Sequence, residues 1–148
     1  MNYFSLNTNV KELRIGDNSS KGIDKEIGKY IVFTMKIPWD VLKKNLTKTP
    51  EKIIFVESVE KDIIDNEIDN LDDFDTVLGV GGGMAIDCAK YTSWKLKKRL
   101  VSIPTILSVD AFTTPAAGIR VNHDVRYLGE ASPNPLIIDY KILKTAPK

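Results

Sequence analysis

Three short apolar runs constrain this fold most: Lys29–Met35 (KYIVFTM), Lys52–Glu57 (KIIFVE) and Thr76–Val80 (TVLGV). Each is rich in β-branched or aromatic residues and too short for a buried helix. A strand with one wet face alternates polar and apolar residues. YIVF and KIIFV are nearly continuous, as expected of strands covered on both faces. Between them lie segments with helical spacing. Trp39–Leu46 has Pro38 near its start, where a missing N–H costs little. Lys61–Leu71 sets Ile63, Ile64, Ile68 and Leu71 on one side. Met84–Lys98 carries apolar Ile86, Ala89, Trp94 and Leu96, with Lys97, Lys98 and Arg99 at the end that favours positive charge. Strand Leu100–Ile103 follows and stops at Pro104. This alternation predicts an α/β fold, a Rossmann-like parallel sheet with flanking helices. Ser19–Ile27 is polar and compatible with a helix.

Beyond Pro104 the pattern changes. Thr105–Thr114 reads as a polar loop of small residues. Ala117–His123 and Val125–Gly129 are strand-like runs split by Asn122-His123-Asp124, which predicts a small β-hairpin. Pro135–Asp139 reads as one more buried strand, and a helix starts at Tyr140. The 148 residues suit one domain, expected to run over 1–148. A net charge of +1 gives no bulk electrostatic reason for a nucleic-acid or membrane-surface partner. One cysteine, Cys88, allows no internal disulfide and suits a reducing compartment. No apolar run approaches the roughly 18–20 residues that span a bilayer. The N-terminus lacks the basic start and apolar core of a secretory signal. A cytoplasmic protein is expected.

The run VLGVGGGMAIDCAK, Val77–Lys90, joins a strand to a helix through three consecutive glycines. Such a turn brings backbone close to a ligand and aims free helix N–H groups at it, and a pyrophosphate is a common guest. It equally serves to turn a corner. Gly79, Gly81 and Met84 do not spell G-x-G-x-x-G, and no G-K-[ST] follows. Spacing alone leaves both readings open.

The stretch GGGMAIDCAK resembles the GGGxxxDxAK signature of the iron-containing alcohol dehydrogenase, glycerol dehydrogenase and dehydroquinate synthase-like superfamily. SIPTILSVDAFTTPAAGI, Ser102–Ile119, resembles its IPT-x-x-S-x-D segment, in a spelling nearest to glycerol-1-phosphate dehydrogenases. YLGEASPNPLIIDYKILKTAPK is similar to the run that precedes the second domain there. The resemblance implies an N-terminal α/β domain that binds NAD or NADP. Gly81, Gly82, Gly83, Met84 and Ala85 would face the pyrophosphate. Thr105 and Ser108 would line the nicotinamide end, and Thr114 would stand where the family often has serine. Asp110 would contact a substrate hydroxyl. The implied chemistry is that of an oxidoreductase, a metal-dependent NAD(P)-linked polyol dehydrogenase acting on glycerol 1-phosphate in phospholipid biosynthesis. The family's zinc or iron is held by an aspartate and two histidines of a helical second domain, so no metal ligand is expected in this chain. It would then be one part of a larger enzyme, with negligible turnover alone and a tendency to oligomerise through uncovered apolar surface. A dehydroquinate synthase-like lyase and a non-catalytic nucleotide-binding module are the alternatives.

Several residues have plainer readings. Asp110 would serve as a cap, and Asp87 would favour the helix start or hold neighbouring loops. Cys88, Trp39 and Trp94 would be packing residues, and His123 a surface histidine. The acids from Asp62 to Asp75 would be a solvated helix face and loop. One departure stands out: Lys36 follows the first strand where the family commonly has an acid, which puts a preference for NAD over NADP in doubt.

Overall fold

Side by side, the apolar runs form a six-stranded, wholly parallel sheet in a computed structural model that describes residues 10–108 and 110–146. The first nine residues, part of the N-terminal signal reading, and the terminal Pro147 and Lys148 lie outside the described residues. The strands are β1 (Leu13–Gly16), β2 (Tyr30–Thr34), β3 (Lys52–Phe55), β4 (Thr76–Gly81), β5 (Arg99–Pro104) and β8 (Leu136–Asp139), in the order β1-β8-β5-β4-β2-β3. Ala117–Val121 (β6) and Asp124–Leu128 (β7) form a separate antiparallel hairpin. Its turn is Asn122-His123, both at positive φ, 52° and 70°, which fits the twist of a two-residue hairpin.

Alternate residues of the central strands feed two cores. Ile31, Phe33, Val77 and Leu100 pack with Ile64, Ile68 and Ala89 from helices α2 (Lys61–Ile68) and α3 (Gly83–Leu96). Tyr30, Val32, Leu78, Val80, Val101 and Ile103 pack on the other face with Leu42 and Ile142, from α1 (Lys36–Leu42) and α4 (Tyr140–Leu143). All five residues of β2 and all six of β4 are buried, so the unbroken apolar runs report two covered faces. Gly79 lets α3 lie directly on β4, since a Cβ there would stand 2.7 Å from Ala89 Cβ.

Several sequence expectations need correction. β1 was not anticipated: LRIG is short, and its alternating exposure is that of a sheet edge. Ser19–Ile27 holds turns and a single 3-10 turn, Ile23–Lys25, rather than an α-helix. Helix α1 starts at Lys36, so Pro38 sits in its first turn, where no intrahelical N–H is needed. Ile63 is 50% exposed, because Ile64 and Ile68, four apart, already take the inward stripe. Trp94 keeps 46% of its surface exposed while its ring lies against Gly129 and 6.1 Å from that of Tyr91, so it packs at the surface rather than in the core. Within the acidic segment Asp65 is not simply solvated: it accepts from Tyr91 Oη at 2.7 Å and pairs with Lys61 and Lys95 at 2.8 and 2.7 Å.

Candidate functional site

The chain steps from β2 outward to β3, then returns to β4 on the opposite side of β2. In open α/β sheets such a reversal leaves a crevice at the carboxyl ends of the strands, where ligands bind. Here a groove of about 440 Å³ lies among the ends of β2, β4 and β5, bordered by Met35, Lys36, Ile37, Gly82, Thr105 and Ile106. Its walls are mainly apolar. Among the described residues that line it, Lys36 is the one cationic side chain, held loosely 3.5 Å from Asp40.

The glycine turn forms the floor. Gly81 has φ +149°, a conformation that favours glycine, and its carbonyl accepts from Thr105 N–H at 3.0 Å, which ties the turn to the end of β5. In α3 the first internal bond runs from Ile86 N–H to the Gly82 carbonyl. The N–H groups of Gly83, Met84 and Ala85 therefore precede the ladder, and no side chain caps this end. They form a donor cluster at the positive end of the helix dipole, the arrangement that suits a pyrophosphate. A Cβ at Gly82 would come within 3.2 Å of Ile106 Cδ1, so glycine also keeps the groove open.

Thr105 is buried at the groove, and Ser108 is exposed beside Thr105 and Ile106 in an adjoining hollow against Leu143. Farther along, Asp110 bends the chain: its carbonyl accepts from Thr113 N–H at 2.9 Å and Thr114 N–H at 3.1 Å. Its carboxylate is exposed and takes part in no hydrogen bond or ion pair among the described residues. Thr114 is half-buried, and both its carbonyl and its hydroxyl accept from Lys90 Nζ, at 3.0 and 3.3 Å. Gly81–Ala85 thus stand together with Thr105, while Asp110 and Thr114 belong to a second stretch alongside α3.

Sequence reasoning missed Lys90, which holds that stretch. It is 1% exposed and also donates to the carbonyls of Ala111 and Ala116, each at 2.7 Å. Asp87 lies 3.2 Å from its ammonium. Burial pulls the lysine below its ordinary range, against the pull of Asp87 and Asp110. Burial likewise pushes Asp87 up, opposed by Lys90 and by the Gly118 N–H. The available signal was the acid and the lysine that the GGGxxxDxAK run fixes at 87 and 90, on a helix whose other members here, Ile86, Cys88 and Ala89, are core residues.

Among the described residues no three His, Cys, Asp or Glu side chains gather so as to hold a metal ion. His123 sits on the hairpin turn, exposed, with Nδ1 3.2 Å from Glu60. The residues present do not fit a zinc or iron centre. No helix among them is long and apolar enough to cross a membrane.

The family model described as iron-containing alcohol dehydrogenase matches residues 25–147, and the chain belongs to that family. It is 38% identical over 81 residues to a glycerol-1-phosphate dehydrogenase [NAD(P)+] of Methanococcus aeolicus, covering 55% of this chain and 23% of that one. It is 28% identical over 152 residues to the protein of the same name from Sulfurisphaera tokodaii, covering 98% and 41%. The match thus spans less than half the length of either relative. The solved glycerol dehydrogenase of Schizosaccharomyces pombe superposes with a TM-score of 0.75 at 23% identity, over 93% of this chain and 39% of that one; at that identity the likeness speaks for the fold.

Proposed function

We propose that this member of the iron-containing alcohol dehydrogenase family is the NAD(P)-binding α/β domain, residues 1–148, of a cytoplasmic polyol dehydrogenase that interconverts glycerol 1-phosphate and glycerone phosphate for phospholipid synthesis. The observation that carries this reading is the uncapped start of α3, with three N–H groups that have no partner among the described residues, beside a groove at the sheet's reversal. The curated relatives bear the name glycerol-1-phosphate dehydrogenase [NAD(P)+], which supports the same cofactor and substrate.

In this reading Gly83, Met84 and Ala85 donate to the pyrophosphate, with Gly81 and Gly82 letting it approach. The groove past Met35 and Ile37 takes the adenosine, and Lys36 tolerates a 2′-phosphate. Thr105 and Ser108 hold the nicotinamide side, helped by Thr114, and Asp110 accepts from a substrate hydroxyl. A metal bound elsewhere would polarise the substrate oxygen; its ligands lie outside the described residues. Titration with NADH tests the proposal, read as quenching of Trp39 and Trp94 with a rise in nicotinamide emission. Saturable binding that pyrophosphate competes away is the expected result. No binding at millimolar NADH would refute it.

A further inference from the structure

We propose that Lys90 is a positioning residue for the reacting half of the site, fixing where the segment carrying Asp110 and Thr114 lies relative to the glycine turn. This rests on the cofactor reading above. The cradle and the lysine stand on one helix. Lys90 follows Met84 by six positions, about 9 Å along the axis, so α3 sets the spacing between the pyrophosphate donors and whatever Lys90 grips. What it grips is backbone: the carbonyls of Ala111, Thr114 and Ala116, at 2.7, 3.0 and 2.7 Å. Residues 110–116 have no regular secondary structure, and their internal bonds all return to the Asp110 carbonyl. The ammonium joins three points of this turn to a rigid helix.

Asp87 adds a second grip on the same face. It pairs with Lys90, and its carboxylate lies against the backbone of Gly118 near the start of β6. A Cβ at Gly118 would stand 3.3 Å from Asp87 Oδ2, so glycine lets the strand come this close. An apolar side chain at position 90 could fill the same volume, but it could not hold three carbonyls in place. That requirement accounts for a charge kept in the core despite its desolvation cost.

The test compares NADH with ADP-ribose, which keeps the adenosine and pyrophosphate but lacks the nicotinamide, on the native chain and on Lys90→Met and Lys90→Arg. The native chain binds both, NADH with enhanced nicotinamide emission. In Lys90→Met, ADP-ribose affinity stays within about twofold while NADH weakens at least tenfold and its emission falls toward that of free NADH. Lys90→Arg, which keeps the donors, recovers part of the loss. Equal weakening of both ligands, or of neither, overturns the proposal, since a merely structural lysine would not separate them. If the native chain binds neither ligand, the cofactor reading fails and this one falls with it. Should Lys90→Met not fold, Asp87→Asn decides. It keeps the volume and removes the counter-charge, so selective loss for NADH supports positioning, and equal or no loss refutes it.

Discussion

Two neighbouring glycines at the turn should fail differently when given a methyl group. Gly81 has φ +149°, and a Cβ there would meet Ala85 Cβ at 3.1 Å. Alanine must either hold a backbone conformation that L-residues rarely adopt or drag the turn away from Thr105, whose N–H binds the Gly81 carbonyl. Strain of this kind costs about 1–3 kcal/mol, roughly 3–10 °C in Tm for a domain of this size. Gly82 sits at φ −87°, ψ −162°, which alanine adopts freely. Its new methyl would press on Ile106 Cδ1, the mobile end of a side chain, at 3.2 Å, so Gly82→Ala should stay within about 1 kcal/mol of the native chain. That methyl stands beside the helix start where the pyrophosphate would lie. NADH should bind Gly82→Ala about tenfold more weakly, or 1.4 kcal/mol. Thermal unfolding and NADH titration of both variants separate the effects. If Gly82→Ala binds NADH as the native chain does, the glycine turn is a corner and not a cradle. If Gly81→Ala melts unchanged, the conformational argument for that glycine is wrong.

Three further outcomes follow from individual side chains. Burial alone would raise Asp65, but bonds from Lys61, Lys95 and the Tyr91 hydroxyl outweigh it and hold the carboxyl down at about 2. Its contribution, about 2 kcal/mol, is present above the unfolded value near 3.8 and is lost as pH falls toward 2; Asp65→Asn should flatten that part of the stability profile, measured by urea melts between pH 5 and 2. Burial pushes the Cys88 thiol up to about 12, so Ellman's reagent at pH 8 should find no reactive thiol in the native chain and one after denaturation; rapid native labelling would contradict its place in the core. Lys36→Glu should weaken NADPH relative to NADH by about tenfold, 1.4 kcal/mol, and an unchanged ratio would remove Lys36 from any part in cofactor choice.

The parallel sheet was legible because its central strands are covered on both faces, and an unbroken apolar run such as YIVF records that directly. The hairpin was legible from its turn residues. β1 was not, since an edge strand buries little: Leu13 and Ile15 are both about half exposed, and LRIG carries no more apolar signal than a loop. Helical periodicity also overreached at Ile63. Four apolar positions in Lys61–Leu71 fit a generous stripe, while the packed helix needs only Ile64 and Ile68 against the sheet. The glycine turn was recognisable as either a cradle or a corner. The observations that favour a cradle are the missing cap and the groove beside it, and both depend on where β2 and β5 end.

Lys90 shows why part of a site stays hidden in a sequence. Its partners Ala111, Thr114 and Ala116 lie 21 to 26 residues away, and it meets each of them through a carbonyl that every amino acid possesses. No choice of residue at 111 or 116 advertises such a bond. Only the helix side leaves a trace, an Asp and a Lys three apart among small and apolar residues. Read alone, that trace fits an ordinary surface pair of the kind worth a few tenths of a kcal/mol. Burial changes its meaning. A surface lysine at that position could be exchanged at little cost, whereas a buried one that loses its charge leaves Asp87 without its cation and three carbonyls without their donor. The same bonds place Thr114 where its hydroxyl also reaches the ammonium, so a residue proposed to contact the cofactor is itself held by the helix that begins at the glycines.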